Sequence, residues 1–243
     1  MDCDGTPLTK DTHYTVAWSG DGVADGNYTV TVRGMDPYYG SQAITYTVRS
    51  TERLGEYDFR LGADDDGLYY KVDCAKALVA LSAYTQNNNC SGKHFVQTAD
   101  ITLTGTFAPI GGNSSDNTDG FYGTYDGGGH TTSGLNVMVT SSDWSNSAVA
   151  GLFGRVRMGG VVRNVGLVSP AVSCTTNKEN RAGAIVGCVD VDGFVTHCFV
   201  LNPCSVTASG ASNNYARLFV GQKYDGTFAN LYYYGTASLP MCG

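Results

Sequence analysis

Charge is scarce in this chain. Asp, Glu, Lys and Arg make up 15% of its 243 residues, against roughly 25% in ordinary globular domains. What charge there is leans acidic, with a net value of −7 and a pI near 4.9. No run of Lys or Arg occurs, so the basic footprint that nucleic acid requires is missing. No apolar stretch approaches the roughly 20 residues of a membrane-spanning helix. The opening Met1-Asp2-Cys3-Asp4-Gly5 is not a charged segment followed by an apolar one, so it is no signal peptide; it reads as a trimmed start with upstream sequence expected. Zinc-spaced Cys/His pairs, CxxC, HExxH, GxSxG, a P-loop and a dinucleotide fingerprint are all absent, so no cofactor and no metal is expected from motifs.

Glycine and tyrosine fill the space that charge leaves. There are 32 glycines and 16 tyrosines, the latter outnumbering the 15 Lys and Arg. Such a polar, weakly charged, tyrosine-rich surface is typical of exported β-proteins. The second half repeats itself. Thr132–Val137, Val162–Leu167, Val195–Val200 and Phe228–Tyr233 line up, their first residues separated by 30, 33 and 33 positions, with a weaker copy at Thr98–Leu103. A fixed period in this range marks stacked coils, each burying its apolar face against the next.

The alignment gives three apolar columns: Thr132/Val162/Val195/Phe228, Leu135/Val165/Cys198/Leu231 and Val137/Leu167/Val200/Tyr233. A polar column, Gly134/Asn164/His197/Asn230, marks a bend where a side chain bonds turn backbone. Turn glycines precede the copies (Gly129, Gly160, Gly193, Gly226). A second apolar motif runs upstream of each: Ala150–Gly154, Ala182–Gly187 and Ala216–Gly221. These features predict an all-β, right-handed parallel β-solenoid over residues 51–243.

Residues 1–50 read differently. Alternating segments Tyr14–Trp18, Tyr28–Val32 and Ala43–Val48, separated by turns, predict a small antiparallel immunoglobulin-like β-sandwich segment, cut short at its N-terminal side. Between the two regions, Asp64–Gly67 reads as a turn. Asp73 reads as the cap of one helix over about 73–85, a lid for the open end of the solenoid. Tyr232–Tyr234 and the tail Leu239–Cys242 are expected to cover the other end. The eight cysteines (3, 74, 90, 174, 188, 198, 204 and 242) admit both a disulfide and a free-thiol reading. Cys74 and Cys90, flanking the helix, form a candidate bridge, whereas Cys198 falls in an inward column.

Several motifs in order, Phe107–Gly111, Phe121–Gly127, Gly129-His130, Gly134-Leu135 and Gly151–Gly154, resemble GLUG-motif proteins of bacterial surfaces. These include the non-catalytic regions of some immunoglobulin A1 proteases of the M26 type. The resemblance covers roughly residues 68–235. It implies secretion or surface display and a β-helical stack, but no defined ligand. Residues 1–49 resemble, less specifically, a truncated bacterial immunoglobulin-like module of surface adhesins. The peptidase zinc motif is missing, so the proteolytic activity is not carried over.

The candidate chemistry is thin. His13, His94, His130 and His197 are each expected to be structural. Solenoid lyases and hydrolases use acids clustered across coils. Asp190, Asp192 and Asp225 are the weak catalytic candidates, Asp192 and Asp225 being aligned one period apart, while Asp126 and Asp143 lie nearby. Asp-Gly turn chemistry explains them equally simply and is preferred. Calcium at Asp64–Asp66, or around Asp116 and Asp119, is weighed against solvated acidic turns, which are preferred. Aromatic residues at turns, Trp144, Tyr122 and Tyr125 with Tyr38-Tyr39, are candidate contacts for sugars or proteins. The favoured expectation is a non-enzymatic surface or secreted module, part of a longer surface protein, that binds host glycan or extracellular protein. A carbohydrate-active β-helix enzyme and a structural spacer are the alternatives.

Overall fold

A computed structural model describes residues 5, 7–20, 25–113, 120–141, 147–210, 213–236 and 239–242. The chain divides into two units, Met1–Glu52 and Arg53–Gly243.

In the first unit, Tyr14–Trp18, Gly26–Gly34 and Ser41–Val48 form a three-stranded antiparallel sheet. Its registers place Val16 opposite Val32, Trp18 opposite Val30, Val30 opposite Ile44, and Tyr28 opposite Tyr46. Side chains alternate between the faces of a strand. One face therefore carries these apolar residues and the other carries Thr15, Thr29, Thr31, Thr45 and Thr47. The described residues form one layer, with Trp18 at 62% and Ile44 at 66% exposure.

The second unit is a parallel β-solenoid with one helix. An antiparallel hairpin, Tyr57–Asp64 with Gly67–Val72, starts it. Gly67–Val72 then pairs in parallel with His94–Gln97, and the same face continues through Thr124–Asp126, Val161–Arg163, Phe194–Leu201 and Thr227–Tyr234. Three further parallel sheets close the coils. The first is Asn136–Ser141, Ala171–Thr176 and Ser205–Gly210. The second is Ala148–Ala150, Asn180–Gly183 and Asn214–Arg217. The third is Phe153–Val156, Val186–Val189 and Val220–Lys223.

The apolar columns stack, with Val162 and Val195 fully buried and Phe228 packed against the core from the last coil. The register of the first copy differs from the expectation. Tyr125 lies in register with Val162, and Thr132 with Leu167, while Val137 stacks on Val172. Ile101 likewise pairs with Thr132, not with Leu135. The cause is the corner at residues 127–130. It puts four residues between two strands where the next coil has only Asn164 and Val165. The polar column holds for Asn164, His197 and Asn230, which all adopt the left-handed conformation at φ +55°, +52° and +52°. Gly134 instead shares the next bend with Ser169, at φ +70° and +53°.

The glycines of the apolar motif serve close approach. A Cβ on Gly187 would meet the backbone of Ala150 and Gly154, and one on Gly221 the backbone of Gly187 and Ala182. Adjacent sheets thus meet at corners too tight for a side chain.

The helix spans Ala75–Thr85 and buries Ala77, Leu78, Leu81, Ser82 and Thr85. Its cap position is Cys74, with no side-chain cap bond. Asp73 does not cap it but forms an ion pair with Arg60, a charged partner that competes with the exposed amides. Ser82 Oγ donates to the Ala108 carbonyl at 2.5 Å, and Thr85 Oγ1 accepts the Gly111 amide at 2.9 Å, tying the helix to the segment before the first coil. At the other end, the Leu218 and Phe219 amides donate to the Pro240 and Met241 carbonyls at 2.9 and 3.0 Å, so the tail covers part of the last coil's edge. All seven described cysteines are free, which removes the Cys74–Cys90 bridge: Cys74 is exposed and Cys90 buried.

Candidate functional site

Two surfaces of the solenoid concentrate candidate functional side chains. The first is a charged groove where two of the sheets meet. Arg155, Cys188 and Gln222 stack in register on one wall, and Arg181 sits on the other between Val149 and Tyr215. The backbone kink explains why Arg155 faces the groove while Phe153, two residues earlier, lies in the core. Gly154 and Gly187 interrupt the ladder between Phe153/Val186 and Arg155/Cys188, and alternation resumes out of phase.

A cavity of about 270 Å³ opens here, lined by Arg155, Arg181, Asp190, Tyr224 and Asp225. Three of its charges, Arg155, Arg181 and Asp190, are paired. Arg155 and Asp190 form an ion pair with side chains only 8% and 10% exposed, and Asp190 Oδ1 also accepts the Val191 amide at 2.8 Å. Arg181 binds Glu179 at 2.7 Å, donates to the Tyr224 hydroxyl at 2.6 Å, and also donates to Gln222. Cations this deep in a groove persist only when paired. Burial raises the Tyr224 phenol above its ordinary value, with the Arg181 guanidinium opposing. Burial likewise pushes the Cys188 thiol up to about 11, leaving it a protonated wall residue, not a nucleophile.

The three catalytic candidates separate. Asp190 and Asp225 line the same cavity, but Asp192 does not. Asp192 is exposed in the tight turn before Gly193, at φ +58°. Asp190 is engaged by Arg155, so the two acids that line the cavity are not a free pair. Arg155, Arg181, Glu179, Gln222 and Tyr224 were not anticipated from the sequence. The available signal was position, since Arg155 directly follows Gly154 and Arg181 directly precedes Ala182, at the two ends of the repeated apolar motif.

The second surface is aromatic. On the outer face of the long sheet, Gly166, Phe199 and Tyr232 are in register, as are Val168, Leu201 and Tyr234. Gly166 leaves room for the Phe199 ring to lie against the sheet, where a Cβ would strike it. Tyr232 and Tyr234 are 62% and 81% exposed. Strands in register stand about 4.8 Å apart, so Phe199 and Tyr232 lie side by side on this face, with Tyr234 two residues further along the same strand. The intervening Tyr233 turns inward, packs on the core, and donates to Asn202 Oδ1 at 3.0 Å.

Of the aromatic candidates, Trp144 lies outside the described residues. Tyr125 cannot contact a partner. It is fully buried, packs edge-on against Phe153 at 5.3 Å and donates to Gln97 Oε1 at 3.2 Å. Tyr122 is half-buried at the edge of the first coil. In the first unit, Tyr39 is 83% exposed, while Tyr38 packs against His13 at 5.4 Å beside an open depression that also contacts Leu8, Tyr14 and Val32.

Three histidines make local contacts. His13 Nδ1 accepts the Thr9 amide at 2.7 Å, His130 Nδ1 lies 3.6 Å from Asp100, and His197 Nε2 lies 3.0 Å from Asn230 Nδ2. Asp126 braces the corner of the first coil. Burial alone would push its carboxyl up. Hydrogen bonds from Asn164 and the Gly128 amide, with the Arg163 guanidinium, outweigh burial and hold it below the ordinary value.

No family model matches the chain. It is 26% identical over 214 residues to halomucin of Haloquadratum walsbyi, a match covering 75% of this chain and 2% of halomucin. Among solved structures it resembles a protein of Bacteroides ovatus provisionally assigned as an immunoglobulin A1 protease. The identity is 20% and the TM-score 0.45, over 71% of this chain and 58% of that one. The chain therefore spans a small fraction of the first and just over half of the second.

Proposed function

We propose that the chain is a non-enzymatic module of a longer surface or secreted protein, binding glycan or an extracellular protein through the outer face of its solenoid. The observation that carries this is the pair Tyr232 and Tyr234, exposed on one strand of the outer face, with the half-buried Phe199 in register beside Tyr232. Flat rings stack on the apolar faces of sugars and anchor protein contacts. A binding role also suits the groove, whose arginines and Asp190 are tied up in ion pairs. The match to a small part of halomucin supports placing the module within a longer chain, and the ordered glycine motifs support a GLUG-type origin. The test is a glycan and matrix-protein array probed with the full chain. Binding is expected, falling about tenfold or more in Tyr232→Ala and Tyr234→Ala. Retention of full binding by the double variant rejects this face as the contact surface.

A second reading keeps Asp225 as an acid, because it shares a cavity with Asp190. Release of reducing sugar from acidic polysaccharides, abolished by Asp225→Asn, would establish it and displace the binding reading. Failure of both assays on broad panels would leave a structural spacer.

A further inference from the structure

We propose that Asp64, Asp66 and His94 form a binding site for a divalent transition-metal ion, which pins the tip of the N-terminal hairpin onto the solenoid. This site is independent of the aromatic surface. The two aspartates flank the hairpin tip between Tyr57–Asp64 and Gly67–Val72, where Gly67 at φ +112° lets the chain reverse. His94 opens the strand His94–Gln97, which pairs in parallel with Gly67–Val72. Folding brings one donor atom from each of the three residues to within 4.8 Å of the others. Ligands about 2.0–2.2 Å from a zinc-like ion stand roughly 3–4 Å apart, a contraction that rotation of two exposed aspartates supplies.

Two further observations point to a cation. His94 Nε2 is buried and has no hydrogen-bond partner among the described residues. A buried polar atom without a partner is costly, and a metal bond would satisfy an imidazole nitrogen. The charge is also unbalanced. Arg163 binds both Asp66 at 2.7 Å and Asp126 at 2.6 Å, so one guanidinium is shared between two carboxylates and no ion pair to Asp64 is recorded among the described residues. A cation would meet the negative charge that Arg163 leaves uncovered. Each aspartate keeps an oxygen for it: Asp64 Oδ1 accepts the Asp66 amide at 2.9 Å and Asp66 Oδ2 takes Arg163, leaving the second oxygens available. The imidazole favours zinc-class ions over calcium or magnesium, which prefer all-oxygen sites. Three protein ligands leave a position for water, and the ion would serve as a structural clamp between hairpin and coil.

The test is calorimetric titration of Zn²⁺ into the chelator-treated full chain, carried out in a Cys74→Ser background to remove the exposed thiol. Thermal unfolding is followed in parallel. One ion per chain is expected, with a rise in Tm that chelator reverses. Asp64→Asn and His94→Ala should each weaken binding about tenfold or more. Asp64 is exposed at the end of its strand, next to the hairpin turn, so its variant reports even if His94→Ala folds poorly. Absence of Zn²⁺ binding up to about 1 mM, or equal binding by the parent and Asp64→Asn, overturns the site.

Discussion

Arg155 and Asp190 lie 35 positions apart in sequence and meet as an ion pair on the groove wall, with both side chains about nine-tenths removed from water. Such a pair adds little over an apolar replacement, but breaking one half strands the other. Asp190→Asn should therefore destabilise the chain by about 3–5 kcal/mol, read as a lower urea midpoint with unchanged slope. The double change Arg155→Met with Asp190→Leu should recover much of that loss. A wild-type midpoint in Asp190→Asn would mean the pair is open to solvent.

Leu167 sits in register with Thr132 below it and Val200 above it. It is fully buried, whereas Met138 is 56% exposed. Leu167→Ala should cost about 2–5 kcal/mol, while Met138→Ala should stay within about 0.5 kcal/mol of the parent. Equal effects in chemical denaturation would contradict the stacking order.

The period of the coils was legible because Val162, Val195 and Phe228 recur at one spacing with like neighbours, and parallel strands demand that recurrence. The slip at Thr132 arose because Thr124–Asp126 and Thr131–Ser133 both present short threonine-bearing strands beside glycines. Only the length of the corner between them separates the two alignments. The groove was not legible, since its contacts join residues about one coil apart: Arg155 reaches Asp190, and Arg181 reaches Gln222 and Tyr224. Each residue alone looks like a surface charge or a turn. Tyr125 misled for a related reason. A tyrosine beside a turn glycine resembles a contact residue until its strand is placed inside the stack.

The thiols should separate by burial. Desolvation pushes Cys90, Cys174 and Cys198 up to about 12, and Cys204 and Cys242 up to about 11. Only the thiolate reacts with disulfide reagents, and Cys74 is the exposed member. In a Cys3→Ser background, Ellman's reagent at mild alkaline pH should modify one thiol quickly and the rest only on unfolding. Adding Cys74→Ser should remove the fast phase. Several fast thiols in that double variant would show that the coils open readily.

Acid should loosen the first corner through Asp126. Its folded pKa lies below the ordinary value despite burial, because Asn164, the Gly128 amide and Arg163 hold the ionised form. The unfolded chain, with an aspartate pKa of about 3.9, then binds more protons than the folded one as pH falls. The sign follows: the contribution is fully present above that unfolded value and is lost as pH drops through the lower folded one. Asp126→Asn removes this linkage and also leaves Arg163 with Asp66 as its carboxylate partner among those described. The variant should be less stable than the parent at pH 7, and its stability should fall less steeply between about pH 5 and pH 3. Parallel pH profiles for the two proteins in urea unfolding would show that Asp126 has the same proton affinity folded and unfolded, and the corner would then owe its order to backbone geometry alone.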